Sequence, residues 1–256
     1  MSEGSIRSIV RAITVLQAIN RYGTLTLSEI ADYAGIPYPT AMRILRTLQD
    51  QGLIEREPSR KKYRATALVQ TLSCGYQNYD RLVTSARPHI IDLTRELGWP
   101  ISIATRVGQT MVVRDSTSSL TTLTFNNYYP GWHVPLLSSA SGRVYLAHAE
   151  EDVRKVLLEP LHDDERKQFK IDFEEIRNQG YAAVTRTQYS ANPGMTSSIA
   201  VPLFEEDKLL GSLALVFFSK ALPISDAITK FVEPLKRTAQ TINITLQETG
   251  DSGEVE

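Results

Sequence analysis

The sequence is poor in the residues that crosslink chains, hold metals or cross membranes. Cys74 is the only cysteine, so an intramolecular disulfide and a four-cysteine metal site are both excluded. No apolar run approaches the roughly 20 residues that a membrane span needs, and the N-terminus lacks the basic-then-apolar pattern of a secretory signal. We therefore expect a cytoplasmic protein with no metal, no cofactor and no membrane partner.

Patterns typical of catalysis are also scarce. The four histidines, His89, His133, His148 and His162, form no close motif. The stretch Ser139-Ala140-Ser141-Gly142 does not match the nucleophile elbow of hydrolases. Because no nucleophile is paired with a base, the sequence does not predict an enzyme.

The near-neutral total charge conceals an uneven distribution. The length of 256 residues favours two domains. Residues 1–66 carry ten basic and six acidic side chains, a net charge of +4, whereas the remainder has a net charge of −5. A basic front beside an acidic rear is expected when only the front binds a polyanion.

Residues 26–51 predict two helices joined by a sharp turn. Thr26 and Glu29 have the spacing of a capping box, and Gly35 provides the left-handed residue that ends such a helix. Pro39 is tolerated only in the first turn of the second helix, which should therefore begin near Tyr38. One side of this second helix is apolar. Its polar side carries Tyr38, Thr40, Arg43 and Thr47, with Arg46 at the flank.

This polar side suits the major groove of DNA, since arginine pairs with guanine and threonine contacts a phosphate or a thymine methyl group. Two strands, 53–56 and 62–65, are predicted next, joined by a turn whose basic tip contains Arg60, Lys61 and Lys62. Together these elements predict a winged helix-turn-helix. The alternative is an ordinary helical hairpin with a solvated polar face and a hairpin tip that is basic only for solubility.

The rest of the chain predicts a second, α+β domain. Strand-like stretches at 100–106 and 110–115 predict a hairpin, and two more strands are expected at 195–204 and 209–218. Helices are expected at 138–148 and from Ser225 to about Leu246. Residues 67–80 predict a linker helix, and residues 249–256 a disordered polar tail.

Five short motifs stand in a fixed order along the chain: Arg11–Leu16, Leu27–Ala31, Thr40–Leu48, Pro135–Arg143 and Ser198–Phe204. Their order and spacing resemble the IclR family of bacterial transcription regulators. Tyr38-Pro39 departs from the basic residue and serine usual there, which puts backbone contacts at that helix start in doubt. The resemblance implies a winged helix-turn-helix over 1–66, a linker helix over 67–80 and a GAF-like effector-binding domain over 81–248.

The resemblance also implies partners. Members of the family form dimers that often pair into tetramers, and a dimer would need a pseudo-palindromic operator in double-stranded DNA. RNA polymerase is a further expected partner if the protein activates transcription. Trp99-Pro100 and Met111–Arg114 look most like the branch that controls breakdown of aromatic acids such as hydroxyphenylpropionate, so the expected effector is a small aromatic acid.

The family's effector pocket lies between the sheet and the helix start at Ser139-Ala140-Ser141-Gly142, where a helix N-terminus would favour a carboxylate. Apolar Leu215 and Phe217 favour an aromatic acid, and the guanidinium of Arg114 could hold its carboxylate. Plain helix caps at Ser139 and Ser141, and a solvated Arg114, are the alternatives. The residues expected to bind the effector are Arg114, His133, Leu136, Ser139, Ala140, Ser141, Ser197, Ser198, Leu215 and Phe217.

We therefore expect a DNA-binding transcriptional regulator controlled by a small, aromatic carboxylic acid. A ligand sensor that acts through protein contacts alone, without specific DNA binding, is the alternative. A gel-shift assay separates the two.

Overall fold

The structure is a computed structural model that describes residues 4–57, 61–73, 81–124, 129–160, 169, 171–185 and 195–251. Its contacts divide the chain into two units, Met1–Asp80 and Arg81–Glu256. No helix among the described residues is both long and apolar enough to span a membrane. Each unit has its own apolar core.

The N-terminal unit contains the predicted helix-turn-helix and the two strands of its wing. Its elements are α1 (Arg7–Tyr22), β1 (Leu25–Thr26), α2 (Leu27–Ala34), α3 (Tyr38–Asp50), β2 (Ile54–Arg56) and β3 (Lys62–Ala65). The strands form an antiparallel sheet in the order β1-β3-β2. Strand β1, at two residues, is too short to leave a pattern in the sequence. It ties the base of the wing to the start of α2.

The predicted capping box begins α2. The Thr26 hydroxyl accepts a hydrogen bond from the Glu29 backbone N–H (3.3 Å), and the Glu29 carboxylate accepts one from the Thr26 backbone N–H (2.7 Å). This last bond lowers the pKa of Glu29, as do the Thr26 hydroxyl and the charge of Lys62. Gly35 ends the helix in the left-handed region, at φ +61°. Residues 26–35 therefore fold as local rules dictate.

The segment after the wing differs from the expected linker α-helix. Ala67–Leu72 is a 3-10 helix, and residues 74–80 lie outside the described residues. The Thr66 hydroxyl donates a hydrogen bond to the Gly52 carbonyl (2.6 Å) and accepts one from the Leu68 N–H (3.2 Å). These two bonds fasten the segment to the turn that follows α3.

The C-terminal unit is an α+β domain, as predicted. Its elements are α4 (Arg81–Leu97), β4 (Ile101–Val107), β5 (Thr110–Ser116), β6 (His133–Pro135), α5 (Ala140–His148), α6 (Glu151–Leu158), α7 (Phe173–Gln179), β7 (Ala182–Thr185), β8 (Thr196–Glu205), β9 (Lys208–Phe218) and α8 (Ile224–Asp251). The six strands form an antiparallel sheet in the order β6-β5-β4-β9-β8-β7. Helix α8 continues through residues 249–251, which the sequence predicted as part of a disordered tail. Residues 252–256 lie outside the described residues.

The two faces of this sheet carry side chains of different size. One face packs large apolar residues against α4 and α8, among them Ile103, Ile199, Leu215 and Phe217. The opposite face, under α5, carries small residues because side chains alternate along a strand. These small residues are Ser102, Ala104, Ser198, Ala200, Ser212 and Ala214. Small residues let the α5 backbone approach the sheet closely.

The start of α5 makes a contact that only glycine permits. A Cβ atom at Gly142 would lie 2.2 Å from the carbonyl oxygen of Leu136, which belongs to the backbone and cannot swing aside. Arg143 reinforces the same contact, since its Nε donates a hydrogen bond to the Leu137 carbonyl (2.8 Å). The chain before α5 is thereby pressed against the first turn of the helix.

Replacing Gly142 with alanine should destabilise the C-terminal unit. The added methyl group must push α5 away from Leu136, and overpacking of this kind costs about 1–3 kcal/mol. Urea unfolding followed by circular dichroism measures the change in the free energy of unfolding. If Gly142→Ala had the same urea midpoint and the same dependence on urea as the wild type, the contact between Gly142 and Leu136 would not be tight.

Candidate functional site

A small cavity lies between the sheet and the N-terminus of α5. Its volume is about 10 Å³, which is room for roughly one water molecule. Its walls are apolar side chains and four serines: Ser102, Ala104, Val113, Val134, Ser139, Ser141, Ser198, Ala214 and Val216. In this state the cavity is far smaller than the roughly 300–1,000 Å³ of small-molecule sites.

The four serines in this cavity differ in their hydrogen bonding. Ser139 is the N-cap of α5, because its hydroxyl accepts from the Gly142 N–H (3.0 Å) and donates to the Pro135 carbonyl (2.6 Å). Ser102, Ser141 and Ser198 are buried, and their hydroxyls form no hydrogen bond within the described part of the chain. Buried polar groups normally find partners, so these three hydroxyls are available to a ligand.

Three residues expected at the effector site lie on the wrong face of the sheet. Leu215 and Phe217 belong to the core against α4 and α8. Ser197 pairs with Phe217 across the strands, and its hydroxyl bonds to that of Ser219 (2.9 Å). The cavity is lined instead by their neighbours in the chain, Ala214, Val216 and Ser198. A one-residue error in register exchanges the two faces of a strand.

Arg114 is also displaced from the cavity, for a different reason. Ile103 pairs with Asp115 and Ala104 with Val113, so Arg114 is the extra residue of a β-bulge. Its guanidinium donates a hydrogen bond to the Thr105 hydroxyl (3.4 Å), which shares the α4 face with Ile103. Arg114 therefore does not reach the cavity.

The remaining predicted effector residues border the cavity without lining it. His133 is exposed on the edge strand β6, where its neighbour Val134 points inward. Leu136 and Ala140 are buried beside the cavity, at the close contact with Gly142 and at the first residue of α5. Sequence reasoning missed Ser102, although its position between Ile101 and Ile103 places it opposite the large apolar face.

The C-terminus of α5 is surrounded by basic side chains. The Arg177 Nε donates a hydrogen bond to the Ala147 carbonyl (2.9 Å), and the His148 Nδ1 lies 3.0 Å from the Val144 carbonyl. Burial lowers the pKa of His148 below its ordinary 6.5, and the charge of Arg177 lowers it further, against the effect of the Val144 carbonyl. His148 therefore stays neutral in the folded protein near neutral pH.

The polar side of α3 is accessible, as DNA contact requires. Ala41, Leu45 and Leu48 are buried in the core of the N-terminal unit. Thr40 is half-buried, and the other predicted contacts on this helix are exposed: Tyr38, Arg43, Arg46 and Thr47. The Thr47 hydroxyl donates a hydrogen bond to the Arg43 carbonyl (3.2 Å). Because its hydroxyl proton is already used in this bond, Thr47 is better suited to accept a hydrogen bond from DNA, or to contact it through its methyl group, than to donate a hydrogen bond.

The wing carries a second basic surface. The Glu57 N–H donates a hydrogen bond to the Lys62 carbonyl (2.8 Å) and closes the hairpin. Lys61 is exposed at the end of the turn, at φ +52°, whereas Lys62 is half-buried. Arg64 is paired with Glu55 (2.6 Å). Arg60 lies outside the described residues. Lys61 is an exposed basic side chain next to the turn of the wing.

Two family models together match most of the chain. The model of the IclR helix-turn-helix domain matches residues 8–58, and the model of the bacterial transcriptional regulator IclR C-terminal domain matches residues 75–244. The chain therefore belongs to the IclR family of DNA-binding transcriptional regulators.

Named relatives are regulators as well. The chain is 24% identical over 248 residues to the DNA-binding transcriptional repressor YiaJ of Escherichia coli, covering 93% of this chain and 86% of the repressor. It is 26% identical to the regulator BhcR of Paracoccus denitrificans, covering 98% and 91%. An IclR homologue from Microbacterium hydrocarbonoxydans, solved in complex with 4-hydroxybenzoate, has the same fold, with a TM-score of 0.70 and 23% identity over 94% of this chain and 99% of that one.

His148 should make the protein less stable in mild acid. Its folded pKa is lowered, so the unfolded chain binds the proton more tightly, and stability is fully present above about pH 6.5 and decreases as the pH falls below it. Urea unfolding between pH 7.5 and 5.5 measures this loss. His148→Gln should lose less stability than the wild type over that range. Equal losses in the two proteins would contradict the assignment.

Proposed function

We propose that this protein binds an operator through α3 and the wing, and that a small aromatic carboxylic acid in the cavity under α5 controls that binding. The C-terminal unit then serves as a GAF-like effector domain. The operator contacts in this proposal are Tyr38, Thr40, Arg43, Arg46, Thr47, Lys61 and Lys62. A protein that binds DNA as a dimer recognises a pseudo-palindromic site, so a homodimer or a tetramer belongs to the proposal.

The observation that carries the effector proposal is the set of unpartnered hydroxyls in an apolar cavity. Ser102, Ser141 and Ser198 can donate to a carboxylate or a phenol, while Val113, Val134 and Val216 provide apolar walls. The first turn of α5 adds the positive end of a helix dipole. The homologue that binds 4-hydroxybenzoate supports an aromatic acid as the ligand class. Because the cavity holds about 10 Å³, the acid must widen it on entry.

On this account, base recognition and phosphate contact are separable. Arg43→Ala should relax base preference at one position of each half-site by about 1–3 kcal/mol, because a guanidinium pairs with guanine in the major groove. Lys61→Ala should weaken binding to every sequence alike and reduce the slope of log K against log salt by about 0.9 for each half-site that is bound. Both effects are measured by fluorescence anisotropy on a duplex that the wild type selects from a random library.

Lys155→Ala on α6 removes the same charge from the other unit and should leave the slope unchanged. If Arg43→Ala discriminated between bases as well as the wild type does, the proposal that α3 recognises bases through Arg43 would be wrong. If the wild type selects no duplex at all, a sensor that acts through protein contacts becomes the better reading.

Adjacent serines provide a test of the cavity. In a thermal-shift assay, 4-hydroxybenzoate should raise the melting temperature of the wild type, since it binds the folded state. Ser198→Ala should lower affinity roughly ten- to a hundredfold, because a hydrogen bond to a carboxylate contributes about 1.5–3 kcal/mol. Ser197→Ala, one residue away on the opposite face, should bind as the wild type does.

The amide analogue 4-hydroxybenzamide should bind more weakly than the acid, because it lacks the charge that the α5 dipole attracts. A loss of affinity in Ser197→Ala together with normal binding by Ser198→Ala would place the ligand on the other face of the sheet. Absence of any shift across a panel of phenolic acids would contradict the aromatic effector and leave DNA binding intact.

A further inference from the structure

A groove of about 460 Å³ runs between helices α1 and α3. One wall belongs to α1 and the other to the polar side of α3. The lining residues are Arg7, Ser8, Arg11 and Ala12 on α1, and Thr40, Arg43, Ile44, Thr47 and Leu48 on α3. The groove therefore borders the surface that reads base edges in the proposed function.

The groove is positively charged and its charges are unpaired. Three of its lining residues are arginines and none is acidic. Arg7, Arg11 and Arg43 are all exposed, and none forms an ion pair or a hydrogen bond of its side chain within the described residues. A guanidinium without a carboxylate partner is free to bind the oxygens of a phosphate in a bidentate manner.

The backbone of α1 adds to this charge. Helix α1 begins at Arg7, has no side-chain cap at Ile6 and has no acidic residue in its first turn. Its first N–H groups are therefore open to an anion, and they carry the positive end of the dipole of a 16-residue helix. Arg7 and Arg11 are four residues apart, so their side chains stand on the same face, one turn from each other.

We propose that Arg7 and Arg11 hold the sugar-phosphate backbone of one operator strand in the groove while α3 occupies the adjacent major groove. The two arginines bind successive phosphates, and the apolar floor of Ala12, Ile44 and Leu48 packs against the sugar edge. This contact supplies affinity without base preference, because phosphates carry no sequence information. The inference rests on the proposed function, since it requires α3 to enter DNA.

DNA is favoured over a free phosphorylated metabolite by the composition of the walls. Arg43 and Thr47 contribute to the groove and also to the polar face of α3. A small anion held there would neutralise the side chain that α3 needs for guanine. A continuous DNA strand instead satisfies both walls at once.

The experiment compares how strongly the affinity of the wild type and of each variant for the selected duplex depends on salt. Affinity is measured by fluorescence anisotropy at roughly 50 to 300 mM KCl, a range over which phosphate contacts dominate affinity. Arg7→Gln/Arg11→Gln should reduce the slope of log K against log salt by about 1.8 for each half-site that is bound, or about 0.9 per phosphate. Its base preferences in a repeated selection should match those of the wild type. Arg7→Lys/Arg11→Lys keeps both charges and should retain most of the slope.

The matched control is Arg95→Gln/Arg237→Gln, which removes two positive charges from exposed positions on α4 and α8. Its slope should equal that of the wild type. Thermal unfolding of each variant confirms that the N-terminal unit is folded, as expected for exposed side chains.

Two results would overturn the inference. One is an unchanged slope in the folded Arg7→Gln/Arg11→Gln variant, and the other is a change in its base preference with the slope intact. If the wild type itself selects no duplex, the proposed function fails before the groove is tested, so the two failures are distinguishable.

Discussion

The architecture depends on one constraint: the central sheet of the C-terminal unit buries its large side chains on one face only. Ile199, Leu215 and Phe217 pack against α4 and α8, and burial of each such side chain is worth about 1.5–3 kcal/mol. The alternation of a strand then leaves the opposite face to their neighbours, which are serines, alanines and a valine. The side chains on that face are small enough for α5 to lie directly on it.

The properties of the cavity follow from this asymmetry. Because the residues under α5 are small, the helix approaches until Gly142 meets the backbone of Leu136. Ser102, Ser141 and Ser198 are buried in the process, and their hydroxyls have no hydrogen-bond partner among the described residues. A ligand in the cavity can supply hydrogen-bond acceptors for these hydroxyls. The same close packing explains why the cavity is so small, so a ligand of the proposed size would have to move the residues around α5 to enter it.

Helix α3, like the sheet, buries apolar side chains on one side only, and in a helix these recur with a period of about 3.6 residues. Burial of Ala41, Leu45 and Leu48 fixes the rotation of the helix and directs Arg43 outward. This rotation also places Arg43 opposite Arg7 and Arg11 on α1, which the sequence separates by more than 30 residues. Three of the ten basic residues of 1–66 therefore line a single groove between α1 and α3. Clustered charge of one sign accelerates association with a polyanion.

Local signals predicted the N-terminal unit well. The capping box at Thr26, the glycine at position 35 and the proline at position 39 act over a few residues. The sequence alone therefore predicts where α2 begins and ends and where α3 begins. The helix start at Ser139 was predictable for the same reason, and Ser139 is the N-cap of α5.

The effector site was harder to predict because it depends on register. Leu215 and Phe217 were assigned to the cavity one residue away from Ala214 and Val216, which line it. The bulge that redirects Arg114 arises from the pairing of β4 with β5, and no pattern in either strand marks it. The 3-10 helix at Ala67–Leu72 likewise depends on a tertiary hydrogen bond, from the Thr66 hydroxyl to the Gly52 carbonyl.

The central claim is that the cavity and the DNA-binding face are energetically coupled within one protein. The most direct measurement is the dissociation constant for the selected duplex, with and without a saturating phenolic acid that stabilises the protein. The account predicts a change of at least about fivefold, and the duplex should change the affinity for the acid by the same factor. An identical dissociation constant with the acid bound would contradict it.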